Sequence, residues 1–197
     1  MKLHLNPLRT YPRLIAFFFL VLFMAIGAIL FAGFFPIARV NSSWVLAKDL
    51  DRTMQIADYY YRAIQQAYGL KDPEEKPTKE DLQAEVLTSL IEDQLISEGV
   101  RRETGNNYEE VFQSRLAEQL NDEELLQAGM ALYGLSYDDF VREVLSPSVR
   151  ADILESRLYV NSSTLDDWLR SEKGRADIQI FSSSYFWNGD LVEAGKK

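Results

Sequence analysis

The chain has 197 residues, with 30 acidic and 21 basic side chains, no cysteine, and a formal net charge of −9 at pH 7. The absence of cysteine excludes a disulfide framework, so the fold depends on packing alone. An acidic chain without a basic stripe argues against a nucleic acid as the partner.

The first feature along the chain is an apolar run, LIAFFFLVLFMAIGAILFAGFF, which lies at residues 14–35 and contains no charge. As a helix, its 22 residues would extend about 33 Å, which matches the roughly 30 Å of bilayer hydrocarbon. Lys2, Arg9 and Arg13 precede the run without an acidic residue, and positive charge is retained on the cytoplasmic side. These features predict residues 1–13 as a cytoplasmic basic tail and residues 14–36 as a transmembrane anchor.

The predicted topology is that of a single-pass protein of the cytoplasmic (inner) membrane, with its N-terminus inside and its C-terminal domain extracytoplasmic. The tail contributes +3, so the remainder of the chain carries −12. The alternative is a cleaved signal peptide, whose apolar core usually has about 7–15 residues. Here the run is longer, and bulky Phe34 and Phe35 interrupt the small residues that a cleavage site needs. We therefore favour an uncleaved anchor that contacts the membrane from Leu14 to Phe35.

The segment after the run, FPIARVNSSWVLA, predicts a short extended or hairpin element with Asn41-Ser42 as its turn. From about Lys48 to Tyr68, apolar residues recur at spacings of three and four. This period predicts a helix that Gly69 ends. The charged stretch KDPEEKPT, with two prolines, then predicts an exposed loop.

Further helix starts are indicated by capping boxes, in which Ser, Thr or Asn precedes an acidic residue by three positions. Ser146-Pro147 predicts one more start, because proline lacks an N–H that would be unpaired in the first turn. Gly105, Gly134 and Gly174 are the predicted ends. The predicted boxes are Thr78 with Asp81, Asn107 with Glu110, Asn121 with Glu124, Ser136 with Asp139, and Ser163 with Asp166.

The last segment, ADIQIFSSSYFWNGDLVEAGKK, contains the strongest strand signal of the chain. Ile178 and Ile180 begin an alternating pattern, and Asn188-Gly189 predicts a turn after it. The final residues, DLVEAGKK, predict the beginning of a helix.

The order of these segments resembles the SurA-type N-terminal chaperone domain, which also occurs in PpiD-like and PrsA-like proteins. VNSSWVLAKDLDR is similar to the start of that domain at Val40, Asn41, Val45 and Leu50, with Ser42 where glycine is usual. VLTSLIEDQLISEGVRRETG resembles its long helix, and LYGLSYDDFVREVLSPSVRADILESRL resembles the two helices that follow. VNSSTLDDWLRSEKG resembles the helix that closes the module, so the two VNSS copies mark its beginning and its closing helix.

The resemblance implies a mainly α fold with a single N-terminal transmembrane helix. An irregular helical bundle of the SurA N-terminal type would follow over residues 37–175, with short β segments at its two ends. Residues 176–197 look like the strand and helix that begin a parvulin-type prolyl isomerase domain. Either the sequence is truncated there, or a remnant strand serves the helical domain.

The implied function is a membrane-anchored extracytoplasmic chaperone module that binds unfolded or nascent exported polypeptides without ATP. Two alternatives stay open. One is the non-catalytic portion of a parvulin-type peptidyl-prolyl cis-trans isomerase, and the other is a structural envelope assembly protein. The sequence names neither the clients nor the oligomeric state.

Few residues of the chain are suited to catalysis or metal binding. The only histidine, His4, precedes the apolar run, and cysteine is absent. The acid pairs Asp138-Asp139 and Asp166-Asp167 fall in first turns of predicted helices, where carboxylates face the positive end of the helix dipole. We therefore predict no catalytic, cofactor-binding or metal-binding residues, and no cofactor.

Aromatic residues are the remaining candidates for client binding. Consecutive helical residues are about 100° apart, so the three tyrosines at positions 59–61 cannot all face inward. At least one is predicted to be exposed, and exposed aromatic surface is a means of holding unfolded chains. The alternative is that these aromatic residues pack in the hydrophobic core and bind no client. The candidate client-binding residues are Tyr59, Tyr60, Tyr61, Tyr68, Met130 and Tyr133.

Overall fold

A computed structural model describes residues 33–69, 78–160 and 162–195. The unit that begins at Pro36 is mainly helical, with short strands near both of its ends. A short 3-10 turn, Gly105–Asn107, precedes the third helix, and a π-helical stretch, Val141–Leu145, precedes the sixth. The elements are β1 (Pro36–Val40), β2 (Ser43–Leu46), α1 (Ala47–Tyr68), α2 (Lys79–Thr104), α3 (Tyr108–Leu120), α4 (Glu123–Tyr133), α5 (Tyr137–Phe140), α6 (Ser146–Val160), α7 (Leu165–Lys173), β3 (Ile178–Ile180), β4 (Tyr185–Trp187) and β5 (Val192–Ala194).

The predicted hairpin is confirmed, because β1 and β2 pair antiparallel around a turn at residues 41 and 42. Asn41 has a left-handed backbone with φ of 53°, a conformation that asparagine tolerates better than most residues. Its N–H donates to the carbonyl of Asp177 at 2.8 Å, and its Oδ1 accepts from the N–H of Asp177 at 3.0 Å. The turn thus holds the beginning of the unit against its last part.

The last part of the unit contains three short strands. β3 pairs antiparallel with β1, so the sheet has the order β2-β1-β3, and Ala38 lies between Val45 and Ile180. The helix predicted for DLVEAGKK is wrong, because Val192–Ala194 forms β5 and pairs with β4. The side chain of Val192 is buried, and its N–H donates to Thr88 Oγ1 at 2.9 Å. Packing on α2 therefore selects the extended form of this segment.

The predicted box that begins α2 is confirmed, and Ser136 caps α5 as predicted, without the reciprocal bond that would complete a box. Thr78 Oγ1 accepts from the N–H of Asp81 at 3.1 Å, and Ser136 Oγ accepts from the N–H of Asp139 at 3.3 Å. Each bond satisfies an N–H that would otherwise be unpaired at a helix start.

Three other starts differ from the prediction. The caps of α4 and α7 are Asp122 and Thr164, one residue beyond the predicted Asn121 and Ser163. Asp122 Oδ1 accepts from Leu125 N–H at 3.0 Å, and Thr164 Oγ1 accepts from Asp167 N–H at 3.1 Å. Asn107 precedes α3 as predicted, but its side chain makes no capping bond. Adjacent polar residues offer equivalent caps, so spacing alone does not select between them.

Ser146-Pro147 does not begin a separate helix. The helix runs from α5 through the π-helical stretch into α6. Proline inside a helix lacks a donor and clashes with the carbonyl four residues before it, and a π-turn widens the helix at such a point. Ser146 Oγ donates to the carbonyl of Val141 at 2.7 Å, so it bonds within the widened turn and does not act as a cap.

The core consists of two clusters of buried residues joined by the long α2. The first combines the sheet, the start of α1 and the first half of α2 with Val192 of β5. The second combines the end of α2 with α3, α4, α5 and α6. Between α2 and α6, Arg150 binds both carboxylate oxygens of Asp93, at 3.0 and 3.1 Å.

The predicted fold with a single transmembrane helix is wrong, and so is the single-pass inner-membrane localisation inferred from it. No helix within the described ranges is long and apolar enough to cross a membrane. The longest of these helices, α1 and α2, are interrupted throughout by charged residues. Residues 14–32 of the predicted anchor lie outside the described ranges, and Pro36, its predicted last residue, begins β1.

Candidate functional site

The candidate tyrosines of α1 differ in their contact with α4. Tyr60 faces α4 and stacks on Tyr133, with ring centroids 4.9 Å apart and planes 19° apart. Tyr133 also contacts the buried ring of Phe140, at a centroid distance of 6.0 Å. These three rings fill the space between α1, α4 and α5. Tyr60 and Tyr133 therefore fix the position of α1, as aromatic pairs of this geometry do in cores.

The neighbours of Tyr60 lie on the two flanks of the same contact, because each helical residue turns by about 100°. Tyr59 lies over Gly134, where a methyl carbon would be 2.5 Å from the ring carbon Cζ. Tyr61 lies on the other flank. The exposed fractions of Tyr59 and Tyr61 are 45% and 56%. The prediction that at least one of the three is exposed is confirmed.

Tyr68 is seven residues after Tyr61 and therefore on the same side of α1. Its side chain is 73% exposed, in the last turn before Gly69 ends the helix in a left-handed conformation. We name Tyr61 and Tyr68 the α1 tyrosine surface; Tyr59 is also exposed, but it lies on the nearly opposite side of α1, against Gly134. The other candidates, Tyr60, Met130 and Tyr133, pack against the second core cluster or within it. The structure thus divides the six predicted residues into three exposed rings and three packed side chains.

The α1 tyrosine surface is suited to binding and lacks groups for proton transfer. Burial raises the pKa of the Tyr133 hydroxyl, and the nearby Tyr60 adds to this shift. The Tyr133 hydroxyl is therefore neutral at physiological pH. What the surface offers is apolar ring area with hydroxyl donors and acceptors at its edge.

The acid pairs have structural partners. The hydrogen bond from Ser136 Oγ to Asp139 Oδ2, at 3.0 Å, lowers the pKa of the Asp139 carboxyl, and Arg142 and Arg52 act in the same direction. Arg52 lies on α1, 3.0 Å from Asp139, so this carboxylate also ties α1 to α5. In the second pair, Asp167 serves the Thr164 cap. Both carboxylates thus act at helix starts.

A metal centre finds no support in the part of the chain that the structure describes. Within residues 33–69, 78–160 and 162–195, no three His, Cys, Asp or Glu side chains are arranged to hold a metal ion. His4 lies outside these ranges.

One aromatic pair was missed by the sequence analysis. On the outer face of the sheet, Trp44 and Phe181 stack with centroids 5.8 Å apart, and they are 52% and 50% exposed. The sequence contains a pattern that indicates the exposure of Trp44. Trp44 precedes Val45, which is buried, and successive strand residues point to opposite faces of the sheet. Assigning β2 by this alternation would have directed Trp44 outward.

Comparison with protein-family models, curated proteins and solved structures finds no match for this chain. The resemblance to a SurA-type domain therefore stays a prediction that depends on the order of the sequence segments.

Proposed function

We propose that this chain is a chaperone module that holds non-native polypeptides through exposed aromatic side chains, without ATP or another cofactor. The observation that carries the proposal is the α1 tyrosine surface. Its rings are exposed on a helix whose position is fixed by the Tyr60–Tyr133 stack. Tyr61 and Tyr68 stack on no other ring among the described residues, so core packing does not account for them. Exposed apolar area of this kind is typical of interaction surfaces.

The exposed Trp44–Phe181 pair adds a second aromatic area on the sheet. Rings on two elements would contact different parts of an unfolded chain, and each contact would be weak. The net charge of −9 would favour basic or neutral clients over acidic ones. This charge effect would fade as salt screens charges beyond about 8–10 Å, whereas apolar contact would persist.

The test is light scattering of an aggregating client during refolding, with the full 197-residue chain added at increasing ratios. We expect suppression near stoichiometric amounts, with an affinity in the micromolar range. The double variant Tyr61→Ser/Tyr68→Ser should suppress aggregation less while unfolding at the same urea concentration as the parent. The apolar run at residues 14–35 is present in both proteins, so the comparison isolates the tyrosines.

Tyr159 provides the matched control, because it is 82% exposed but lies on α6. Tyr159→Ser should leave suppression unchanged. No suppression at any ratio would contradict the proposal and favour a purely structural assembly role. Suppression that disappears completely in high salt would mean that charge, and not the tyrosine surface, holds the client.

A further inference from the structure

A groove separates the first turns of α2 from β5, on a side of the unit that carries none of the candidate tyrosines. It has a volume of about 470 Å³, within the range of ligand-binding clefts. Asp81, Ala84, Glu85 and Thr88 form the helical wall. These residues are three and four apart, so they share one face of α2. The opposite wall is β5.

The backbone of β5 leaves one N–H without a partner on the side of this groove, among the residues that the structure describes. Leu191 and Gly195 bond to the β4 side, through the Leu191 carbonyl to Asn188 and the Gly195 N–H to Ser184. Successive strand residues direct their backbone groups to opposite edges, so Val192 and Ala194 face away from β4. The N–H of Val192 donates to Thr88 Oγ1. The N–H of Ala194 has no hydrogen-bond partner among the described residues.

The groove is also acidic. Asp81, Glu85 and Glu193 line it, and no lysine or arginine does so within residues 33–69, 78–160 and 162–195. Apolar contact is available from Leu191, which lines the groove and is 41% exposed. A ligand suited to this groove is an extended polypeptide segment. Its backbone can pair with the strand, and it carries both basic and apolar side chains.

We propose that the groove between α2 and β5 binds an extended basic segment of a polypeptide, which pairs with the edge of β5 at Ala194 and places a lysine or arginine near Asp81 and Glu85. Strand addition of this kind supplies affinity through the main chain, while side chains supply preference. The inference rests on the proposed function, because it names the class of client segment and how it is held. The proposal also assigns part of the negative charge of the chain to a defined binding groove.

The probe is a labelled seven-residue peptide of alternating valine and lysine, compared with a peptide that has glutamate for lysine. Binding to the full chain is measured by fluorescence anisotropy. We expect the basic peptide to bind about ten-fold more tightly at low salt, a ratio typical of a few charge contacts. A valine–lysine peptide with prolines at alternate positions lacks the N–H groups for strand pairing and should bind weakly.

Two variants test the two walls. Glu85→Lys should abolish the preference for the basic peptide, whereas Glu103→Lys, the same change at an exposed position near the end of α2, should retain it. Ala194→Pro removes the free N–H without touching the bonds between β4 and β5, and it should weaken both peptides. If this variant does not fold, hydrogen exchange of the Ala194 amide in the parent protein replaces it, and bound peptide should slow that exchange.

Binding that Glu85→Lys leaves unchanged would overturn the inference, as would an Ala194 amide that the peptide does not protect. The failure of the proposed function is a separate result. If the chain suppresses aggregation and Glu85→Lys has no effect on peptide binding, the groove is not the site. If peptide binds in the groove but aggregation is not suppressed, the chaperone proposal fails and a peptide-binding site stands.

Discussion

The indole of Trp168 on α7 lies directly over Gly99 on α2. A methyl carbon at Gly99 would be 2.5 Å from the indole carbons Cη2 and Cζ2 and 3.2 Å from Leu154 Cδ2. Arg102, one turn further along α2, lies 5.8 Å from the centre of the same ring and pairs with Glu172 at 3.2 Å. The missing side chain at Gly99 is therefore what allows α7 to close on α2.

Gly99→Ala should destabilise the protein, although alanine favours helix by about 1 kcal/mol over glycine. The new methyl group needs a shift of the rigid indole, and such overpacking costs about 1–3 kcal/mol. The check is urea unfolding of both proteins. Ser89→Ala, at an exposed position of α2, serves as the control and should be neutral or slightly stabilising. A Gly99→Ala protein more stable than the parent by the full helix-propensity gain of about 1 kcal/mol would mean that α7 is not held against α2 here.

Tyr60→Ser and Tyr61→Ser should separate packing from exposure at adjacent positions. Loss of the Tyr60 ring removes its stack on Tyr133 and should lower the free energy of unfolding by about 1–3 kcal/mol. Tyr61 is 56% exposed, so its loss should change this free energy by no more than about 0.5 kcal/mol. Equal losses in chemical denaturation would show that Tyr61 also packs and would remove it from the α1 tyrosine surface.

Lys173 should contribute to the free energy of unfolding at neutral pH, and this contribution should be lost at alkaline pH. Its side chain is 11% exposed, and its Nζ lies 2.6 Å from Glu92 and 3.1 Å from Asp190. Burial alone would lower the pKa of Lys173, but the hydrogen bonds and charges of Glu92 and Asp190 outweigh it and raise the pKa. Because the folded pKa exceeds the unfolded one, this stability is present below about pH 10.4. It is lost as the pH rises through the folded pKa.

Lys173→Met should therefore cost about 1–2 kcal/mol at pH 8, since two carboxylates lose their partner. The difference from the parent protein should shrink above about pH 10.4. Urea unfolding at pH 8, 10 and 11 measures it, with Lys79→Met at the exposed start of α2 as the control. The ionisation of the tyrosines affects all three proteins alike. A difference that stays constant through pH 11 would contradict the assigned ion pairs.

The 197-residue chain should not accelerate cis–trans exchange in a prolyl peptide. The barrier to rotation is about 18–20 kcal/mol, and the chain contains no cysteine and no histidine after His4. An NMR exchange measurement with and without the protein tests this expectation. A rate above background that survives further purification would favour the isomerase interpretation of the sequence.

The sequence predicts most of the helical part of this fold because its signals there are local. The Thr78 box and Gly69 act within a turn of the residues they cap, so spacing is enough to find them. Asp122 and Thr164 show the limit of this reasoning, since neighbouring polar residues compete for the same role. The Pro147 signal was misinterpreted because a π-helical stretch lets the helix continue through it.

The remaining errors come from contacts between distant residues. β5 forms because Val192 is buried against α2 and its N–H donates to Thr88. The sequence DLVEAGKK contains no periodic pattern that would predict this contact. For the candidate site, helix geometry correctly predicts that the three adjacent tyrosines of α1 divide between exposed and packed positions. Which of them packs depends on where Tyr133 lies, and this position is set by the α1–α4 contact.

The pairing of Ala38 with Ile180 also determines when the unit can be completed during translation. The second core cluster is built from consecutive helices and can assemble as they leave the ribosome, because its contacts are local. The first cluster waits for β3 and β5, so β1 keeps one unpaired edge until residues 178–180 have been synthesised. Unpaired edges promote wrong association. The newly made chain is thus itself a non-native polypeptide with an open strand until β3 has been synthesised.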